Sequence, residues 1–162
     1  CLVALLANSA AAATIAYTAT DQGSGRWRYD YVVANAAADS PIEEFTVYFA
    51  PGAYANLAVA MSPANWDSLV VQPDAGIPDD GYFDSLALAA GIAPGTSLGG
   101  FAVTFQYLAA GTPGAQSFEV VDPNTFVVLS SGTTTAVPGP ATGWLLATAL
   151  PLVWWRGRRR SA

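Results

Sequence analysis

Twelve carboxylates are the residues of this 162-residue chain best able to do chemistry, because most other catalytic side chains are missing. There is no His and no Lys, and Cys1 is the single Cys. A Ser-His-Asp or Cys-His nucleophile, a His-ligated zinc and a Lys Schiff base are therefore excluded. Cys1 alone permits neither an intrachain disulfide nor a Cys-based metal cluster. Glu43 and Glu44 are adjacent at the start of an expected strand, so their side chains point to opposite faces and cannot form a catalytic pair. Glu119 and Asp122 stand three apart in or near another strand. A glycosidase would need two carboxylates about 5–9 Å apart across a cleft, and nothing in the spacing selects such a pair.

Asp74, Asp79, Asp80 and Asp84 surround Gly76 and Gly81 in one acidic loop. Hard oxygen ligands on a bent loop suit calcium, which makes these four the candidate metal ligands. The spacing is not that of an EF-hand, and Asp79-Asp80-Gly81 is also an ordinary turn signal. A solvated turn is the expectation, with no cofactor required. Exposed aromatics offer a different chemistry, stacking on sugar rings. Trp27, Tyr54, Trp66 and Tyr82 are the candidates, and Trp66 leads because Ser62-Pro63-Ala64-Asn65 before it reads as loop. Trp27 heads an alternating aromatic stripe and is expected in the core.

These residues must be positioned by strands. Trp27, Tyr29, Tyr31 and Val33 alternate with Arg26, Arg28, Asp30 and Val32; Phe45, Val47 and Phe49 with Glu44, Thr46 and Tyr48; and Phe101, Val103, Phe105 and Tyr107 with Ala102, Thr104 and Gln106. Period two places one set inward and the other toward solvent. Thr14–Asp21, Gln22-Gly23-Ser24-Gly25 and the following Arg26 run read as a hairpin. Pro51-Gly52, Pro94-Gly95 and Pro113-Gly114 suit turns. Further strands are expected near 57–61, 68–72, 83–89, 117–121 and 126–130. About eight short strands over residues 14–129 predict an antiparallel β-sandwich, immunoglobulin-like or jelly-roll. Residues 130–136, Ser/Thr/Gly-rich, are expected to be a flexible linker.

Charge separates this body from its ends. From Thr14 to Ala136 two arginines face all twelve carboxylates, while Arg156, Arg158, Arg159 and Arg160 crowd the C-terminus. So acidic a body would repel a phosphate backbone, which excludes nucleic acid as a partner. Residues 1–13, apolar and ending in small residues, read as the remnant of a secretory signal peptide, with Ala11 and Ala13 at the small positions of a cleavage site. Residues 143–155 form an apolar stretch with Trp144, Trp154 and Trp155 near its ends, where indole rings favour the membrane interface. As a helix, the fifteen residues 141–155 span about 22 Å, short of the roughly 30 Å hydrocarbon core. The arginines beyond would stay cytoplasmic, leaving the body outside.

The order of Val137, Pro138, Gly139, Pro140, Ala141 and Thr142, then a short apolar helix, then an arginine cluster, resembles the PEP-CTERM sorting signal. Gly139 stands where that motif carries its Glu. The resemblance covers residues 137–162. It implies export through the inner membrane of a Gram-negative cell, an inner-membrane precursor, processing near 138–142 by an exosortase and association with exopolysaccharide. The expected function is thus a non-enzymatic structural or binding component of the cell surface or its matrix. A secreted carboxylate-dependent glycan enzyme and a permanently tail-anchored protein are the competing readings.

Overall fold

Alternating side chains can bury one face of a strand only if a second layer covers it, and here two five-stranded sheets cover each other. The computed structural model describes residues 13–36 and 40–138. The signal segment up to residue 12, the sorting motif from Gly139 onward, the apolar stretch 143–155 and the arginine cluster lie outside the described residues.

The strands are β1 (Thr14–Gly23), β2 (Arg26–Ala34), β3 (Glu44–Phe49), β4 (Tyr54–Met61), β5 (Trp66–Val71), β6 (Gly81–Ala87), β7 (Ser97–Tyr107), β8 (Ser117–Val121), β9 (Val128–Thr133) and β10 (Thr135–Ala136). One sheet runs β10-β1-β2-β7-β4 and the other β5-β6-β3-β8-β9. Every pairing is antiparallel except the short parallel one between β1 and β10. The β1–β2 hairpin turns through Gly23, Ser24 and Gly25, all at positive φ, a conformation that costs glycine little. No described helix is long and apolar enough to cross a membrane.

The inward stripes meet as expected. Tyr29, Tyr31, Val33, Phe45, Val47, Phe49, Phe101, Val103 and Phe105 are all buried. Phe45 and Phe101 meet edge to face across the two sheets, ring centres 4.9 Å apart. Burial of each such side chain contributes about 1.5–3 kcal/mol. Trp27 departs from expectation. It is the second residue of β2 and is only partly buried against the core. One set of polar groups in the core is tied together: the Gln116 amide donates to the hydroxyls of Tyr29 at 3.1 Å and Tyr54 at 3.0 Å. Tyr29 in turn donates to the Gly114 carbonyl at 2.7 Å. Burial pushes the Tyr29 hydroxyl well above its ordinary range, so it stays a donor. The Tyr31 hydroxyl is buried with no hydrogen-bond partner.

Two expectations about the chain path are corrected. Pro113-Gly114 makes no regular turn. Pro113 is buried, and the Gly114 carbonyl serves the tyrosine network instead. Residues 130–136 are not a free linker either, since they lie in β9 and β10 around the buried Thr134. Backbone pairing with β8 on one side and β1 on the other satisfies their amides, and this outweighs a loop-like composition. Val137 continues the attachment, donating its N–H to the Tyr17 carbonyl at 2.8 Å.

Candidate functional site

The outward half of β3 is Glu44, Thr46 and Tyr48, and its neighbours fix what surrounds it. Thr46 is the register partner of Asp84 on β6 and of Glu119 on β8. Asp84 pairs onward to Leu69 on β5, and Glu119 to Ser131 on β9. One row of the outer face therefore reads Leu69, Asp84, Thr46, Glu119, Ser131. Beside it runs Val71, Tyr82, Tyr48, and on the other flank Asp67, Leu86, Glu44, Val121. Neighbouring strands lie about 4.8 Å apart, so Asp84 and Glu119 are roughly 10 Å apart at the backbone.

Hydrogen bonds hold this surface in one arrangement. The Thr46 hydroxyl donates to Asp84 Oδ1 at 2.7 Å, and the Tyr48 hydroxyl donates to Glu119 Oε2 at 2.8 Å. Tyr48 and Tyr82 pack edge to face at 6.4 Å, both half-buried. The rings are thus fixed while part of each stays accessible, and each carries a polar tip. Burial raises the Asp84 carboxyl above its usual value, and the Thr46 hydrogen bond offsets part of that rise. Burial also raises Glu44, with the Asp84 charge adding to it. Tyr48 is pushed up to about 12 by burial first, then by its bond to Glu119 and that carboxylate's charge. The described cations, Arg26 and Arg28, both lie on β2 in the other sheet, so these carboxylates have no opposite charge beside them.

The remaining candidates fall elsewhere. Trp66 is not a surface residue. It opens β5, is buried, and packs its ring edge to face on Phe101 at 5.1 Å and against Phe45. The left-handed turn at Asn65 swings it inward, so it is unavailable for stacking. Tyr54 is buried too, between Phe49 and Phe105. The four loop aspartates do not gather. Asp74 and Asp79 pair through their backbones, and Asp74 Oδ1 accepts the Gly76 N–H at 2.7 Å, a solvated turn. Asp80 is exposed beside them, while Asp84 sits on β6 with Thr46. Among the described residues no three His, Cys, Asp or Glu side chains group to hold a metal ion.

A separate open cleft of about 230 Å³ at one end of the sandwich is lined by Ser40, Pro41, Glu43, Val121, Asp122, Pro123 and Leu129. Of its two acids, Asp122 is poorly suited to taking up a proton. Asp122 accepts the N–H groups of Asn124 and Thr125, and these bonds hold its carboxyl below the usual range.

Sequence reasoning found Tyr82 but passed over Tyr48, Thr46 and the placing of Asp84 and Glu119 on either side of Thr46. The available signal was an aromatic at an outward position of a β3 stripe whose inward positions were already filled. The cross-strand registers were not readable from the chain.

No protein-family model matches this chain, and no curated protein does. Solved structures give loose likenesses. The chitin-binding domain of Chi18aC from Streptomyces coelicolor is 17% identical with a TM-score of 0.43, covering 66% of this chain and 90% of that one. A family 3b carbohydrate-binding module from the biomass sensoring system of Clostridium clariflavum is 17% identical with a TM-score of 0.39, over 59% and 70%. A GH20 exo β-N-acetylglucosaminidase from Vibrio harveyi, in complex with N-acetylglucosamine, is 10% identical with a TM-score of 0.40, over 79% of this chain and 18% of that one. Likenesses this loose say nothing of what this chain binds, and its own surface must supply the argument.

Proposed function

We propose that this chain is an exported, non-enzymatic surface protein that binds a polysaccharide on the outer face of its second sheet. The observation that carries this reading is the fixed pair Tyr48 and Tyr82 beside Asp84, Thr46 and Glu119. Aromatic rings offer sugars an apolar contact, and the carboxylate oxygens next to them accept hydroxyl protons. Hydrolysis is disfavoured on the same surface, because a glycosidase sets its two carboxylates on either side of the scissile bond, whereas Asp84 and Glu119 stand in one row of a single sheet face.

The test is affinity electrophoresis against soluble neutral polysaccharides and against exopolysaccharide from a host of this class. Tyr48→Ala with Tyr82→Ala is expected to abolish retardation, while Arg28→Ala on the opposite face leaves it unchanged. Equal retardation of all three proteins would overturn the proposal.

Delivery to that matrix belongs to the same reading and rests on the resemblance of residues 137–162 to a PEP-CTERM signal. In a host with an exosortase, intact-mass analysis of cell fractions is expected to show a membrane precursor and a shorter exported product. If every molecule keeps Trp154 and Trp155 and stays in the inner membrane, the tail is a permanent anchor instead.

A further inference from the structure

A hydrogen bond made within a surface is no longer available to a ligand, so the groups left over decide what can bind. On the outer face of the second sheet the donors are committed first. Thr46 and Tyr48 each carry one hydroxyl proton, and both go to carboxylates, Asp84 Oδ1 at 2.7 Å and Glu119 Oε2 at 2.8 Å. The acceptors keep spare capacity. An ionised carboxylate offers about four lone-pair positions, and Asp84 and Glu119 each receive one hydrogen bond from the described residues. Glu44 stands two residues before Thr46 on β3, close enough for the Asp84 charge to raise its carboxyl. Three carboxylates thus share the patch, while Arg26 and Arg28 lie on the other sheet.

The tyrosines mark where a ligand would meet these acceptors. Among the described residues, Tyr48 and Tyr82 make the only ring-to-ring contact in which neither ring is buried. Their centres are 6.4 Å apart and their planes cross at 66°, so they form an open corner rather than one flat platform. A small cation can sit over a ring face there, inside the roughly 6 Å range of cation–π attraction. Glu119, bonded to the Tyr48 hydroxyl, stands beside it. Val71, 40% exposed, continues the row from Tyr82 onto β5 and adds an aliphatic contact for the apolar face of a sugar ring.

Resting on the glycan reading above, we infer that this face takes polysaccharide whose sugars carry free amino groups, with the ammonium at the tyrosine corner against Asp84 and Glu119. An ammonium brings three donors, no acceptor and a positive charge, which complements a patch that is negative, rich in acceptors and poor in donors. A sugar hydroxyl brings one donor together with lone pairs for which the patch has few partners. N-acetylation removes the charge and two of the three donors. A uronic acid adds a further carboxylate and is repelled. A basic peptide is a poorer match, because its Lys ammonium rides on a flexible four-carbon stem that must be immobilised. An amine borne on the sugar ring carries its charge and apolar face together, which suits an open, shallow surface.

The test is isothermal titration calorimetry on the full chain in mild detergent, at about 0.15 M salt to screen diffuse attraction. The probes are a β-1,4-linked glucosamine tetrasaccharide, its N-acetylated form, a galacturonic acid tetrasaccharide and a tetralysine peptide. The amino form is expected to bind at least tenfold more tightly than the acetylated form, and the uronic form not to bind. Asp84→Asn with Glu119→Gln leaves acceptors for Thr46 and Tyr48 and is expected to weaken the amino form at least tenfold. Asp21→Asn with Asp30→Asn removes the same charge from the first sheet and is expected to leave binding unchanged, with unaltered circular dichroism spectra for both variants. Equal affinity for the amino and acetylated forms, lost for both on Tyr48→Ala with Tyr82→Ala, would overturn the inference and leave the glycan reading standing. Binding of the amino form that survives loss of the tyrosines, or that weakens equally in the first-sheet variant, is attraction to an acidic body and overturns it. Tetralysine bound as tightly as the amino sugar overturns it too. If the amino tetrasaccharide does not bind at all, the inference falls, and retardation by neutral polysaccharide decides the glycan reading separately.

Discussion

The two outer faces are built by the same alternation and end up chemically opposite. On the first sheet, Thr18, Thr20, Arg28, Asp30 and Thr104 face solvent, and Arg28 lies 2.6 Å from Asp30. That face neutralises its own charge and offers no aromatic ring among these positions. On the second sheet Glu44, Asp84 and Glu119 stand among Tyr48 and Tyr82 without a cation. Satisfying a surface internally leaves it inert, whereas leaving carboxylates answered only by hydroxyls keeps acceptors available to a ligand.

Experiments can break this contrast or sharpen it. The largest effect is expected from Phe45→Ala, which removes a ring packed on Phe83, Phe101 and Trp66 between the two faces. Lost burial plus a cavity should cost about 3–5 kcal/mol in urea unfolding, degrading both faces together. Tyr31→Phe should act in the opposite direction. Deleting a buried hydroxyl that has no partner relieves part of a penalty of about 1–3 kcal/mol, so the midpoint should rise with no change in glycan binding.

Acid separates the faces. Asp84 and Glu44 have folded pKa values raised by burial, so the native state holds their protons more tightly than the unfolded chain. Their contribution to stability grows as pH falls through those raised values, and is complete below the ordinary values of 3.8 and 4.5. Asp122 works in the opposite sense, contributing above 3.8 and losing that contribution as pH falls through its lowered value. Asp84→Asn should flatten the gain on mild acidification in urea titrations from pH 7 to pH 4, and Arg28→Ala should leave that slope alone. The smallest effects close the series. Arg28→Ala removes an exposed ion pair worth about 0–1 kcal/mol. Calcium should leave the melting temperature unchanged, where a ligand at a hundred times its Kd would add about 2.7 kcal/mol.

What was legible in the chain follows from where period two survives. β2, β3 and β7 carry large apolar residues at every second position, so their buried faces could be assigned before any pairing was known. Trp66 was not legible, since its loop-like prefix says nothing of the left-handed turn at Asn65 that directs the ring inward. β9 was harder still. Exposed at five of its six residues, it has no buried stripe to read, and its place depends on backbone bonds to β8. The candidate face combines both situations, with outward residues visible one strand at a time and their neighbours supplied by cross-strand register.

The continuous path from β9 into β10 has a mechanical consequence. Residues 128–133 are stitched to one sheet and residues 135–137 to the other, through Ala16 and Tyr17. Tension drawn through the chain beyond Pro138 would be shared between both layers of the sandwich rather than peeling a single edge. A body loaded through this exit is gripped across its whole thickness.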